Sequence, residues 1–368
     1  MRPLVVLILV LLCGSTELMA MAVQPKIDGD PVESALARRR ERASEYLIDR
    51  AGFRSEGRAT EAYEAAAQAA LGVARGALEA RDYDEAYDLS WDAYKDYIYS
   101  TAADRLLHVF ILAATHLEEI TKAANALIDL WYRFPEHQGL DELLRFTLDT
   151  AEALQNPTGA INWEADEPTE VIDEDAVVQL YAADTFFRFL AEHGDYHDVA
   201  PRATLGLARS ILIRGYDDKR RLAQARLAYL DLLQRYPESG LVFQALCEQA
   251  LCYLLGFRGD RFDGGVLETA SLIVDQAELY TADEPGRRAL IARFRDLITR
   301  WNQMKDFQVA RWYDRHGPER SALYYYRQSL AYDTSTDVAR QAARAIDRLE
   351  QVVGPLPDEL PAPPASNP

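Results

Sequence analysis

RRLAQARLAYLDLLQRYPESGLVFQALCEQALCYLL, residues 220–255, sets the architecture of the chain. Ala225, Ala228, Tyr229, Leu232, Leu233 and Tyr236 recur at offsets 0, 3, 4, 7, 8 and 11, which places them on one face of a helix. Pro237 stops that helix, because it lacks a backbone N–H and biases the residue before it away from helical angles. Ser239 is available to cap a second apolar-striped helix, which begins at once. Two helices joined by so short a turn lie antiparallel, and neither buries its stripe alone. The unit is an αα-hairpin.

With Ala225 as the anchor, the same offsets recur along the chain. They give Ala86, Leu89, Ser90, Ala93, Tyr94 and Tyr97, then Ala123, Ala126, Leu127, Leu130, Trp131 and Phe134, again followed by a proline, Pro135. Less complete copies are Ala183, Phe186, Phe187, Leu190 and Ala191; Ala270, Ile273, Val274 and Ala277; and Ala322, Tyr325, Tyr326 and Leu330. Each is expected to be the second helix of a hairpin, and the small anchor is what a close helix crossing requires. The predicted fold is all-α, a tetratricopeptide-like αα-hairpin solenoid of about six hairpins plus a closing helix. The anchors lie 37, 60, 42, 45 and 52 residues apart, all above the tetratricopeptide period of about 34, so loops are inserted.

The predicted organisation is a signal peptide over 1–22, a lead-in and charged helix over 23–56, a repeat domain over 57–353 and a Pro-rich tail over 354–368. The charged helix carries Arg38 to Arg42, RRRER, read as a solvated face. Within the repeat domain, 156–173 is a loop insertion. Seven carboxylates and no base lie between Glu164 and Asp175. A second loop, GFRGDRFDGG over 256–265, has glycines free to take positive φ. A long helix is expected from Gly286 to Arg315 and a closing helix from Thr336 to Val352. The tail reads as disordered or polyproline, and Pro361-Ala-Pro-Pro364 fits a PxxP ligand.

An apolar content of 49% over 368 residues excludes a disordered chain. The net charge of −19 repels nucleic acid and anionic headgroups, which points to protein or cationic partners. Arg2, the apolar run Leu4 to Leu12 and the small residues Ala20 and Ala22 read as an export signal, placing the chain in the periplasm or on the periplasmic face of an outer membrane. Cys13-Gly-Ser after that run has the layout of a lipoprotein signal, although Leu12 stands where a small residue is wanted. Lipidation of Cys13 and ordinary cleavage near Ala20 or Ala22 both stay open. No later segment approaches twenty apolar residues, so any membrane attachment is expected through a lipid alone. Cys247 and Cys252 share one helix and diverge by about 140°, which forbids a bridge and leaves two buried small residues.

Dedicated chemistry finds little support. His193 and His197 have helical metal-ligand spacing, but Gly194 puts them at a turn between hairpins. Asp173, Glu174 and Asp175 lack the order of a calcium loop. No nucleophile elbow, dinucleotide fingerprint or phosphate loop is present. The expectation is a non-catalytic protein with no cofactor and no metal. The stripe Tyr83, Tyr87, Trp91, Tyr94 and Tyr97 reads first as packing between hairpins. Trp91 and Tyr94 also suit the rim of a partner groove, since they bring large contact area with few rotors.

ALYYYRQSL (322–330), LAYLDLLQRYPESGLVFQAL (227–246) and ALIDLWYRFPEH (126–137) resemble the tetratricopeptide units of the BamD family, outer-membrane assembly lipoproteins of diderm bacteria. The order of segments is similar too, with Val309, Ala310, Tyr313 and Gly317 matching best at the end of the long helix. The resemblance covers residues 175–349 most closely; the N-terminal helices, acidic insertion, Pro-rich tail and Thr334 in place of a proline depart from it. It implies an adaptor that assists outer-membrane β-barrel assembly by holding the periplasmic domain of a barrel-assembly protein, or unfolded outer-membrane proteins, against its last hairpins. Arg315, with Tyr313 beside it, is the contact it implies. The second reading is a tetratricopeptide adaptor for another envelope task, such as coordinating cell-wall synthesis or secretion.

Overall fold

A computed structural model describes residues 31–155, 174–193, 199–215, 218–257, 264–281 and 284–354. The described residues form fourteen α-helices and no strand, so the all-α expectation holds. They divide into two compact units. The first, Met1–Arg214, contains α1 (Pro31–Ser55), α2 (Glu61–Glu79), α3 (Tyr83–Asp96), α4 (Ala103–His116), α5 (Ile120–Arg133), α6 (Leu140–Gln155), α7 (Glu174–His193) and α8 (Val199–Arg214). The second, Gly215–Pro368, contains α9 (Lys219–Arg235), α10 (Val242–Gly256), α11 (Gly264–Glu278), α12 (Pro285–His316), α13 (Glu319–Tyr332) and α14 (Asp337–Val353).

Within each unit most helices pack on their sequence neighbours, α1 packs on α5, and several reach the next but one: α2 on α4, α5 on α7, α6 on α8 and α12 on α14. That layering is consistent with an all-α solenoid. The six anchors Ala86, Ala123, Ala183, Ala225, Ala270 and Ala322 are all fully buried, at 0% exposure. A methyl group at each lets two backbones approach, and the large residues spaced from it, among them Leu130, Trp131, Phe186, Phe187 and Tyr229, fill the layers between helices. Each such side chain contributes about 1.5–3 kcal/mol of burial. Gly206 in α8 extends the same logic: a Cβ there would lie 2.4 Å from the Phe187 ring.

Local chemistry fixes the helix ends. Thr60, Asp82, Asp218 and Thr336 accept from the backbone N–H groups of Tyr63, Glu85, Arg220 and Ala339 to start α2, α3, α9 and α14. Pro285 opens α12. Two turns are near copies. Arg81 (φ 62°) and Glu118 (φ 60°) both sit in the left-handed region. Each is followed by a residue whose N–H returns to the preceding helix, Asp82 to Ala77 and Glu119 to Ala114, both at 2.9 Å. Each lies five residues before an anchor, Ala86 or Ala123.

Several expectations need correction. Ser239 does not cap α10; its hydroxyl accepts from Leu241 within the turn, and the helix starts at Val242 without a side-chain cap. Gly256 and Gly265 lie inside helices, and the positive-φ glycines among the described residues are Gly57, Gly139 and Gly354. Nor is the RRRER segment simply solvated. Arg39 lies 4.0 Å over the Trp131 ring and donates to the Pro135 carbonyl, and Arg42 lies over Tyr132, so α1 is fastened to α5 by its own cations. The leader with Cys13, Ala20 and Ala22, the insertion 156–173 and residues 355–368 lie outside the described residues. Among the described residues no helix is long and apolar enough to cross a membrane.

Candidate functional site

Two aromatic faces stand out, one in each unit. On α3, Tyr83 stacks on His116 at 4.2 Å, and Tyr87 and Trp91 both rest on Phe110 at 4.7 Å. Tyr94 is buried, and its hydroxyl donates to Asp129 at 2.6 Å. Burial, with Asp129 second, pushes that phenol far above its ordinary pKa. Tyr94 is therefore a structural residue and cannot meet a partner; of the two aromatic candidates on this helix only Trp91, 37% exposed, reaches the surface. Lys122 lies 5.3 Å from the Tyr87 ring and Lys95 6.0 Å from the Trp91 ring, so the chain supplies its own cations to this face. Asp84, Glu85, Asp88, Asp92 and Asp96 line the exposed side of the helix.

The second face is built where α12 meets α13. Tyr313 and Tyr325 stack at 5.6 Å with rings 4° from parallel. Trp312 meets Tyr313 edge-on at 5.0 Å, Tyr324 meets Tyr325 at 5.2 Å, and His316 lies 5.7 Å from Trp312. Val309, Ala310, Tyr313 and Gly317 all lie at this junction. Ala310 is fully buried against α13, and Gly317 passes under the Tyr313 ring, where a Cβ would lie 2.5 Å from Cδ1. Val309 is half-buried one residue before Ala310. The phenol of buried Tyr326 donates to Asp314, and burial and that carboxylate push its pKa up to about 12.

A polar clamp holds these helices. The Gln303 amide donates to the Ser329 and Asp333 carbonyls, and the Thr336 hydroxyl donates to the Gln303 side-chain oxygen at 2.8 Å. The face it supports is therefore held on three helices that share one buried network.

No family model matches the chain, and no curated protein matches it. What the α12–α13 face can do follows from its charges. Arg315 is exposed and forms no hydrogen bond or ion pair among the described residues; the same is true of Arg320, while Arg311 has only a distant ring, Phe307 at 5.9 Å. Residues 285–353 hold 13 Lys and Arg against 8 Asp and Glu, a net +5, which leaves 27 against 51, or −24, for the rest of the chain. A strongly acidic protein thus gathers unpaired cations around exposed rings.

The sequence reading missed one other cluster. Asp104 accepts from His137 Nδ1 at 2.8 Å, and His137 Nε2 shares a 2.8 Å hydrogen bond with His108 Nδ1. Burial, then the His137 and Arg75 charges, lowers His108 to about 4. Burial pushes Asp104 upward, but His137 outweighs it and holds the carboxyl below its usual range. The i, i+4 spacing of Asp104 and His108 on α4 was the available signal; His137 comes from the distant α5–α6 turn.

His193 is the last residue of α7 and packs among Trp131, Tyr132 and Phe189, while His197 lies outside the described residues. Among the described residues no three His, Cys, Asp or Glu side chains group as metal ligands. Cys247 and Cys252 are buried free thiols, both pushed up chiefly by burial, Cys247 to about 12.

Proposed function

We propose that the chain is a non-catalytic, exported scaffold of the bacterial envelope, built of about six tetratricopeptide-like hairpins and a closing helix, that assists outer-membrane β-barrel assembly in a BamD-like manner. Its partners are proteins, and it takes no cofactor. The observation that carries the reading is the α12–α13 face: exposed Trp312, half-buried Tyr313 and unpaired Arg315 stand together on a rigid three-helix support. Aromatic and Arg side chains are the residues most enriched where proteins bind proteins. The six buried alanine anchors and the copied turns at Arg81 and Glu118 support the hairpin repeat. Trp91 offers a smaller contact on α3. A lipid on Cys13, or release after cleavage near Ala20 or Ala22, decides whether the scaffold is tethered.

A photo-crosslinking residue placed at position 312 of the full chain, in bacterial cells, tests this. The expected product contains a component of the barrel-assembly machinery. Recovery of cell-wall synthases or secretion components alone would transfer the scaffold to the alternative envelope task. No protein adduct at all from position 312 would sink the partner-binding reading.

A further inference from the structure

The α12–α13 face has a chemistry that narrows the partner. Arg311, Trp312 and Arg315 fall at offsets 0, 1 and 4 on α12, so they share one exposed side. Arg320 and Tyr324, four apart on the first turns of α13, share another beside the α12 terminus, and the Tyr313–Tyr325 stack joins the two helices. The result is a row of rings flanked by guanidinium groups. Elsewhere on α12 and α14 many cations are paired internally, Arg287 with Glu284, Arg295 with Asp275 and Glu278, Arg300 with Asp296, and Arg348 with Asp314, whereas Arg293 and Arg344 are exposed without an ion pair among the described residues and have no ring contact. Arg311, Arg315 and Arg320 have no such carboxylate, so their charges are directed outward.

We infer that this face recognises an acidic segment of another polypeptide, carboxylates on Arg311, Arg315 and Arg320 and an apolar residue against Trp312 and Tyr324. The inference rests on the partner-binding reading above and adds the partner's chemistry to it. Charge complementarity selects the occupant. The rest of the chain carries −24, which opposes a long polyanion or an extended anionic surface whose charge spreads over many Debye lengths. A short acidic segment needs to meet only the three guanidinium groups and the rings beside them. Guanidinium groups also bind carboxylates in two-pronged geometry, which a lysine face would not offer.

Fluorescence anisotropy with the full chain tests it, using a labelled peptide of Glu and Asp with a central Leu-Pro-Leu, a Lys-for-acid version and a Gln-for-acid version. The acidic peptide is expected to bind best, and to weaken steeply with added salt. R311E/R315E is expected to reduce that affinity at least about tenfold, with unchanged helical content and melting temperature. R311Q/R315Q, which removes charge without reversing it, is expected to fall between. Equal binding of the Gln or Lys peptide overturns the inference. So does Arg315-dependent binding to phosphatidylglycerol vesicles with none to the acidic peptide, or self-association in sedimentation that R311E/R315E abolishes. Crosslinks from position 312 to a partner segment without carboxylates would also overturn it while leaving the scaffold reading intact; absence of any such crosslink would remove both.

Discussion

The α3 face and the α12–α13 face are both rows of aromatic rings on helices, yet they are finished differently. On α3 the rings lie on the neighbouring α4 and are capped by Lys95 and Lys122 from the chain itself. Its one deeply placed phenol, Tyr94, is committed to Asp129. On α12–α13 the rings stack on one another, and although Trp312 is about as exposed as Trp91, the adjoining Arg311, Arg315 and Arg320 find no carboxylate among the described residues. The same residue types therefore serve cohesion in one unit and presentation in the other. The deciding variable is whether the cations beside the rings are already spoken for.

The largest expected effect tests the cohesive half. Tyr94→Ala removes a buried ring and leaves Asp129 without its donor, and should cost about 3–5 kcal/mol, read as a lowered denaturant midpoint. Trp312→Ala should cost less than about 1 kcal/mol. Equal losses would erase the distinction between the faces.

The next effect is confined to the first unit. The folded pKa of His108 lies at about 4, below its ordinary 6.5, so the neutral ring is favoured by folding. Its contribution is fully present above pH 6.5 and is lost as pH falls toward 4, about 3 kcal/mol. Asp104, also held low, acts in the same direction, but only as pH falls below its ordinary 3.8. Asp184 acts oppositely, since its burial outweighs Arg214 and raises its pKa. Unfolding midpoints measured across this range should fall with acid, and His108→Asn should flatten the slope; an unchanged slope would place the acid sensitivity elsewhere.

A smaller effect separates function from stability in the second unit. Arg315→Glu should weaken capture of an acidic partner several-fold, about 1 kcal/mol, and leave the melting temperature within error. Loss of fold in this variant would mean that Arg315 is structural after all. The smallest effect concerns the copied turns. Arg81→Gly or Glu118→Gly relieves a non-glycine residue held at positive φ and should stabilise the first unit by about 0.5–1 kcal/mol, visible as a small rise in melting temperature.

Helical periodicity made most of the fold legible. The anchor column located six alanines that are all fully buried, and the limits of α12 and α14 follow from Pro285, Gly317, Thr336 and Gly354 within a residue or two. These are local signals, carried by residues a few positions apart. Contacts between distant segments left no such trace. Arg39 on Trp131 and the hydrogen bond from His137 to Asp104 join residues far apart in sequence, and a run of arginines read in isolation looked merely solvated. Tyr94 and Trp91 shared a periodic stripe, and only the position of α5 decides that one is buried against Asp129. Arg315 was named from a resemblance. What makes it available is the regional charge imbalance, which whole-chain net charge conceals.

Amide hydrogen exchange of the full chain, with and without the acidic Leu-Pro-Leu peptide, bears most directly on the claim that the α12–α13 face is the one built to be occupied. Added peptide should slow exchange over residues 308–325 and leave residues 83–97 unchanged. Protection appearing on 83–97 instead, or on neither segment while the peptide is bound, would contradict it.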